Sequence, residues 1–130
     1  MIKKKSALQK KKENPNSTYW KKKADIEWGR IIHEANCCLV GGNCSGNFEA
    51  HHLISRGNTL TRHDPKNGVL LCSLHHKWSK DCSPHMAPIQ FTEFLRANCP
   101  EKIEYVMENR YKTGKPDYKE AFERLKESNR

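Results

Sequence analysis

The sequence predicts an α+β fold in which a short hairpin and a following helix form a small core between an N-terminal helix and C-terminal helices. The chain has 130 residues, which is the length of a single domain. Hydrophobic residues make up only 35% of it, and cores this small are often stabilised by disulfides or metal. All six cysteines lie within residues 37–99, together with most of the histidines, so we expect the chemistry of the chain to lie there.

Positive charge is concentrated in the first residues of the chain. Nine lysines and one glutamate give residues 1–23 a charge of +8, out of +9 for the whole chain. Residues 1–16 have no apolar face, and we expect them to form a basic disordered tail. In a protein that meets nucleic acid, such a tail attracts phosphates in a salt-dependent way. Charge alone leaves a membrane surface or an acidic partner equally open.

Two signals that would argue against a cytoplasmic location are absent from the sequence. No stretch approaches the roughly 18 consecutive apolar residues of a membrane helix. Residues 1–12 contain lysines but lack the apolar region of a secretory signal. The chain is therefore expected to be soluble and cytoplasmic, where reducing conditions favour metal binding by cysteine over disulfide formation.

Residues 17–130 are predicted to form one domain that begins with a helix over residues 17–36. Apolar residues recur there at intervals of three and four, which is typical of an amphipathic helix. These residues are Trp20, Ala24, Trp28, Ile31, Ile32 and Ala35. Because the stripe has helical spacing, we interpret its aromatic residues as core contacts rather than as a platform for stacking nucleotides.

The remainder of the domain divides into a core and a helical extension. Residues 37–86 hold a glycine- and cysteine-rich loop suited to a metal knuckle, followed by the hairpin and helix. The strands are predicted at 47–54 and 69–71, and the helix at 73–80. Residues 87–130 are predicted to be helical, with helices that begin near Pro88, Pro100 and Asp117.

The segment from residue 51 to residue 78 carries a distinctive spacing of histidine and asparagine. His51 and His52 end the first predicted strand, Asn67 follows His52 by fifteen positions, and His76 follows Asn67 by nine. A hairpin followed by a helix can bring these side chains into one cleft. Neighbouring side chains of a strand point to opposite faces, so His51 and His52 can have different roles.

This arrangement resembles the HNH endonuclease family, whose ββα-metal site has this order and spacing of residues. The similarity covers about residues 37–98 and extends to small phage and prophage HNH proteins. It is carried by the runs HHLISR at 51–56, TRHDPKNG at 61–68 and LCSLHHKW at 71–78. Agreement at several fixed offsets makes the motif specific. The resemblance implies a ββα-metal core with a zinc knuckle, acting in the host cytoplasm if the chain is encoded by a phage.

The resemblance also implies roles for individual residues. His52 matches the general base that takes a proton from water. Asn67 matches the residue that orients this base or braces its loop, and that in some members binds metal. His51 and His76 match the ligands of one divalent metal, which we expect to be Mn²⁺, Ni²⁺, Mg²⁺ or Zn²⁺. The expected phosphate contacts are Arg56, Arg62 and Lys77.

The metal ligands depart from the family pattern and leave alternatives open. Most members have a carboxylate where this chain has His51, and the third ligand here is His75, His85 or water. Many members carry two C-x-x-C knuckles, whereas this chain offers two other pairs, Cys38-x5-Cys44 and Cys72-x2-His75. Three thiolates and one imidazole suit a structural zinc. Cys37 could replace Cys38, and Cys82-x2-His85 is a competing half-site.

The expected function is that of a metal-dependent endonuclease acting on DNA. It would nick or cut both strands by hydrolysing phosphodiester bonds, leaving 5′-phosphate and 3′-hydroxyl ends. One alternative is a zinc-stabilised DNA-binding module without catalysis, and another is an accessory protein of phage packaging or recombination. The presence of both His52 and Asn67 favours catalysis, because a binding module needs neither. The expected partner is DNA, with no membrane involved.

Overall fold

The computed structural model describes residues 4–128, which have an α+β architecture with helices around a two-stranded sheet. The α+β class predicted from the sequence is confirmed at this level. The helices and strands are α1 (Ala7–Glu13), α2 (Thr18–His33), β1 (Phe48–His52), β2 (Gly68–Cys72), α3 (Pro88–Asn98), α4 (Pro100–Asn109) and α5 (Tyr118–Glu127). A 3₁₀ turn at Pro65–Asn67 precedes β2, and a π-helical turn at Leu74–Trp78 follows it.

Helix α1 corrects the expectation of a disordered segment over residues 1–16, of which residues 1–3 lie outside the described part. The Ser6 side chain accepts a hydrogen bond from the Gln9 backbone, and the Gln9 side chain accepts one from the Ser6 backbone. This capping box stabilises the first turn. The indole of Trp20 donates to the Lys12 carbonyl and ties α1 to α2. The helix buries no side chain, so an apolar pattern could not have predicted it.

Helix α2 lies against α5 and the sheet through the middle of the predicted apolar stripe. Ala24, Trp28 and Ile32 are buried. Trp28 and Ile32 pack closely on Gly68 at the start of β2, where a Cβ atom would lie 2.4 Å from Ile32 Cδ1 and 2.6 Å from Trp28 Cζ2. Only glycine allows α2 to approach the strand this closely, so Gly68 fixes the distance between the helix and the hairpin.

Strands β1 and β2 pair in antiparallel fashion and position the two adjacent histidines. His51 lies opposite Val69, and His52 lies opposite Gly68. Every residue of β2 is buried, and Leu71 packs in a cluster that includes Phe91 of α3. The predicted strand boundaries were one or two residues too wide for β1 and slightly too narrow for β2. Because β2 is buried between helices, it anchors the histidines of β1 to the core.

The helix predicted for residues 73–80 is shorter than expected. The backbone N–H of Ser79 donates to the Leu74 carbonyl at 2.7 Å, which closes a single π-helical turn. Among residues 4–128, we find no helix with the combined length and apolar character needed to span a membrane.

Candidate metal centres and the adjoining cleft

Three cysteines and one histidine converge from three separate segments. Cys38 and Cys44 belong to the loop before β1, Cys72 is the last residue of β2, and His75 lies in the π-helical turn. The Nδ1 atom of His75 lies 3.6 Å from the Sγ atoms of Cys38 and Cys44 and 3.1 Å from that of Cys72. Tetrahedral zinc would hold a sulfur and a nitrogen about 3.5 Å apart. The cluster could therefore hold a metal such as zinc.

The loop before β1 is tightly folded around this cluster. Gly46 has a φ of +82°, and a Cβ atom there would lie 2.5 Å from the Cβ atom of Ser73. Glycine is needed at this position because of the positive φ and because a Cβ atom would clash with Ser73. Without that Cβ atom, the loop can pass directly beside Ser73, the residue after Cys72. Cys37 is exposed and lies outside the group of four converging ligands, so the geometry favours Cys38 over its neighbour.

The thiols of the cluster differ in their tendency to ionise. Burial raises the pKa of Cys72, but backbone hydrogen bonds from His75 and Ser45, together with the neighbouring thiols, lower it to about 6. The pKa of Cys44 is raised to about 12 by desolvation and by Cys72 and Cys38. Several thiolates this close repel one another in the absence of a cation, so a bound metal would complete the charge balance.

A second cluster is formed by His51, His76 and His85. Their facing ring nitrogens lie within 4.8 Å of one another. The Nε2 atom of His76 is 3.2 Å from Nδ1 of His51 and 3.2 Å from Nε2 of His85. Three imidazoles around one tetrahedral metal would place neighbouring nitrogens about 3.3 Å apart. Of the alternatives left open for the third ligand, the structure places His85 in this cluster and His75 in the cysteine cluster.

Glu49 sets the tautomer of His76. The Nδ1 atom of His76 lies 2.7 Å from Oε1 of Glu49, so the carboxylate accepts a hydrogen bond from Nδ1–H. In the neutral ring, Nε2 then carries a lone pair that faces His51 and His85. One divalent cation would satisfy the lone pairs of all three rings, and a carboxylate behind a ligating histidine is the usual support for such a site. Burial and the charges of the neighbouring histidines lower the pKa of His51 to about 3, which keeps its ring neutral and able to bind a cation.

His52 points to the other face of β1, and within residues 4–128 only one of its ring nitrogens, Nε2, has a hydrogen-bond partner. Its Nε2 atom lies 2.9 Å from the carbonyl oxygen of Arg62, which can only accept, so Nε2 carries the proton. The ring stacks on the indole of Trp28, with centroids 3.8 Å apart and planes inclined by 6°. Burial lowers the pKa of His52 and favours the neutral ring. Nδ1 is consequently left with a lone pair that can accept a proton.

Asn67 braces the loop between the two strands and is fully buried. Its Oδ1 atom accepts from the Ile54 backbone N–H at 2.6 Å, and its Nδ2 atom donates to the carbonyls of Ile54 and Thr61 at 3.0 Å. All of these contacts are to backbone of the loop that follows His52. Of the two non-metal roles that the resemblance implied for Asn67, the geometry favours bracing of the loop.

Asp25 of α2 holds the same loop from the other side. Its carboxylate accepts two hydrogen bonds from the Arg62 guanidinium, at 2.8 and 2.9 Å, and one from His63 Nε2 at 2.7 Å. Burial opposes ionisation of Asp25, but these hydrogen bonds outweigh it and hold its pKa well below the usual range. Arg62 is the residue whose carbonyl binds His52, so this ion pair fixes the position of the candidate base.

The three residues expected to contact phosphate have different surroundings. Arg62 is bound to Asp25 with only 13% of its side chain exposed, so its guanidinium is already committed within the protein. Arg56 is exposed in the loop after β1. Lys77 is about half exposed, and its ammonium lies 3.5 Å from Glu49, beside the histidine cluster. Arg56 and Lys77 are therefore better placed than Arg62 to meet an anion.

His51 and His52 open onto a cleft of about 500 Å³ between α3 and α4. The side of the cleft next to the histidines includes Leu53 and Ser55 of the loop after β1. A substrate group in this cleft would lie beside both the histidine cluster and the candidate base.

Together, the fold and the clusters define a small α+β protein with a Cys/His site that could hold a metal such as zinc. No family model, curated protein or solved structure matches the chain.

Proposed function

We propose that the chain is a metal-dependent endonuclease that hydrolyses DNA phosphodiester bonds to 5′-phosphate and 3′-hydroxyl ends. The observation that carries the proposal is the pairing of two features at one cleft. Three imidazoles converge at the spacing of metal ligands, and the adjacent His52 has its Nε2 proton committed to the Arg62 carbonyl. A site that only bound DNA would need neither the lone pair on Nδ1 of His52 nor the convergence of three imidazoles beside it.

His52 supplies the base in this reaction. Its Nδ1 atom accepts a proton from water as the water oxygen forms a bond to phosphorus. The bond between phosphorus and the 3′ oxygen breaks, and that oxygen takes a proton from solvent to become the 3′-hydroxyl. Trp28 and the Arg62 carbonyl hold the ring in place, and because Nε2 is occupied, Nδ1 is the nitrogen available to the water.

His51, His76 and His85 would hold the divalent metal of the reaction. Such a metal would neutralise charge on the phosphate and on the leaving oxygen. An all-imidazole set suits Mn²⁺, Ni²⁺ or Zn²⁺ better than Mg²⁺, which prefers oxygen ligands. The cysteine cluster would hold a separate zinc with a structural role, because four protein ligands leave no open position.

A second candidate is a zinc-stabilised DNA-binding module without catalysis, as in an accessory protein of phage packaging or recombination. It is favoured by the run of exposed lysines on α1, which could hold phosphate without any chemistry. This alternative predicts DNA binding with no hydrolysis under any metal.

The test measures cleavage of supercoiled plasmid with Mn²⁺, Ni²⁺, Zn²⁺ or Mg²⁺ for the wild type and two matched variants. In His52→Gln the amide can still donate to the Arg62 carbonyl, but no proton acceptor replaces Nδ1. The rate at saturation should fall by roughly 10²–10⁴, the usual contribution of a positioned base, while DNA affinity stays the same. His33→Gln is the control, because His33 is exposed and hydrogen-bonded to the Gly29 carbonyl away from the cleft.

Two results would contradict the proposal in different ways. If wild-type protein loaded with each metal binds DNA but leaves it intact, the noncatalytic module is the better description. If His52→Gln cleaves at the wild-type rate, the assignment of the base is wrong.

A further inference from the structure

The cleft beside the histidines has apolar walls built by two consecutive helices, α3 and α4. α3 ends at Asn98 and α4 starts at Pro100, so the chain turns sharply at Cys99, whose backbone is not helical. The walls are formed by Leu95 of α3 and by three residues of α4: Ile103, Val106 and Met107. Met107 is 57% exposed, which is high for an apolar side chain. The cleft therefore presents apolar surface to solvent directly next to a site built from polar groups.

The charged groups of the cleft are all cationic. Arg96 of α3 and Arg110, the residue after α4, are among the lining residues, and no carboxylate is among them. Arg96 is 60% exposed at its side chain and pairs with Glu93 on the helix surface. An occupant that suits this lining has a flat apolar part and carries negative charge. A nucleotide has both properties.

We propose that this cleft receives a nucleobase next to the scissile phosphate, so that DNA with unpaired or displaced bases is the preferred substrate class. The inference rests on the proposed function, because the phosphate must reach His51 and His52 while the base enters between α3 and α4. In an intact duplex, the apolar faces of the bases are stacked and out of reach. Extruding a base costs least where it is already unpaired, and apolar side chains can then stack against it.

The first experiment compares cleavage of two DNA duplexes that differ only in a central bubble of unpaired bases. Wild-type protein should cleave the bubble substrate faster by about tenfold or more, because an already unpaired base avoids much of the unstacking and unpairing cost. Met107→Glu places a carboxylate on the cleft wall and should bring the two rates close together. Ile26→Glu is the control, because Ile26 is 69% exposed on α2 and lies outside the cleft.

A second pair of variants tests the charge of the cleft. Arg96→Gln should weaken binding of the bubble substrate more than that of the duplex. Arg124→Gln should affect both equally or not at all. The two arginines are matched, since each is about half exposed and paired with a glutamate of its own helix.

Base extrusion can be read without hydrolysis by placing 2-aminopurine in the bubble. Its fluorescence should rise when the His52→Gln protein binds. It should not rise when the double variant His52→Gln, Met107→Glu binds. A rise with no cleavage by wild type would reject the hydrolytic function while supporting the cleft assignment. Equal wild-type rates on both DNAs, or an unchanged rate ratio in Met107→Glu, would overturn the cleft assignment. An unchanged rate ratio in Met107→Glu is the result expected if the cleft binds a protein segment instead of a nucleobase.

Discussion

At the residue scale, the candidate base depends on a carboxylate from a different helix. Asp25 binds the guanidinium of Arg62, and the carbonyl of Arg62 accepts the Nε2 proton of His52. Asp25 does not line the cleft, so we assign it a positioning role. Its effect on His52 passes through the backbone of residue 62, which has little freedom because Asn67 braces the same loop.

Asp25→Asn should reduce both stability and cleavage. Because the pKa of Asp25 is depressed in the folded state, its stabilisation is complete at neutral pH and is lost as the pH falls below the ordinary carboxyl value of about 3.9. At pH 7 the free energy of unfolding should drop by about 1–2 kcal/mol, a figure kept small because Asp25 is 35% exposed. The cleavage rate at saturating DNA should fall by about 10- to 100-fold through misplacement of His52.

Denaturant unfolding and single-turnover cleavage measure these two effects. Glu34→Gln is the control, because it removes only an exposed ion pair with Arg30 at the end of α2. It should change neither the free energy of unfolding nor the cleavage rate. Full cleavage by Asp25→Asn at saturating DNA would show that His52 is oriented without it.

Sequence spacing indicated the cysteines and histidines of the two clusters, and it missed two carboxylates, Glu49 and Asp25, that hold a histidine and the loop in place. The pairs Cys72/His75 and His51/His52 are local, so their spacing carried the information. Glu49 was missed, although it lies two residues before His51 on a strand and so shares its face. Asp25 left no such signal, because it is 37 residues from Arg62 and the contact depends on how α2 packs.

At the element scale, the order of helices and strands was largely predictable, and the exceptions have physical causes. Apolar periodicity located α2, and prolines located the starts of α3 and α4. Helix α1 was missed because it depends on a capping box and on the Trp20 contact rather than on a buried face. The length of the helix predicted at residues 73–80 was overestimated. Its end is set by the hydrogen bond from the Ser79 backbone, which amino-acid composition does not indicate.

The loop before β1 offers a matched pair of substitutions at adjacent residues. Cys38→Ser should release zinc and lower the melting temperature by at least about 10 °C, because metal binding contributes directly to folding at such sites. Cys37→Ser should retain both zinc and stability, since Cys37 is exposed and outside the cluster. Zinc stoichiometry and thermal unfolding on the two proteins make the comparison. The reverse outcome would mean that Cys37 is the ligand.

At the scale of the whole molecule, six of the lysines in the basic N-terminal region lie on helices, three on α1 and three on α2. Lysines 10–12 form the last turn of α1, which is tied to α2 by Trp20, and α5 is tied to Pro15 by a backbone hydrogen bond. Truncating residues 1–16 would therefore remove structural contacts along with the charge. Substitution of lysine side chains is the cleaner way to test what this surface binds.

Replacing Lys10, Lys11 and Lys12 with glutamine should weaken DNA binding and leave the cleavage rate at saturation unchanged. Each lost phosphate contact lowers the log–log salt slope by about 0.9, so the slope should fall by up to about 2.7. The charge-matched control replaces three exposed lysines elsewhere, at positions 66, 112 and 115. Affinity is measured by fluorescence anisotropy over a range of salt concentrations. Equal slopes for the two triple variants would mean that α1 makes no special contact with DNA.

His75 and His76 are consecutive residues of one π-helical turn, yet each belongs to a different cluster. The backbone position of His76 therefore depends on that of His75, whose Nδ1 atom contacts three cysteine sulfurs. We therefore expect that loosening the thiol cluster would also displace His76 from the histidine trio, even though Glu49 holds the other side of its ring. Under the proposed function, a chain that lacks zinc at the thiol cluster should cleave DNA poorly, while the lysines of α1 could still bind it.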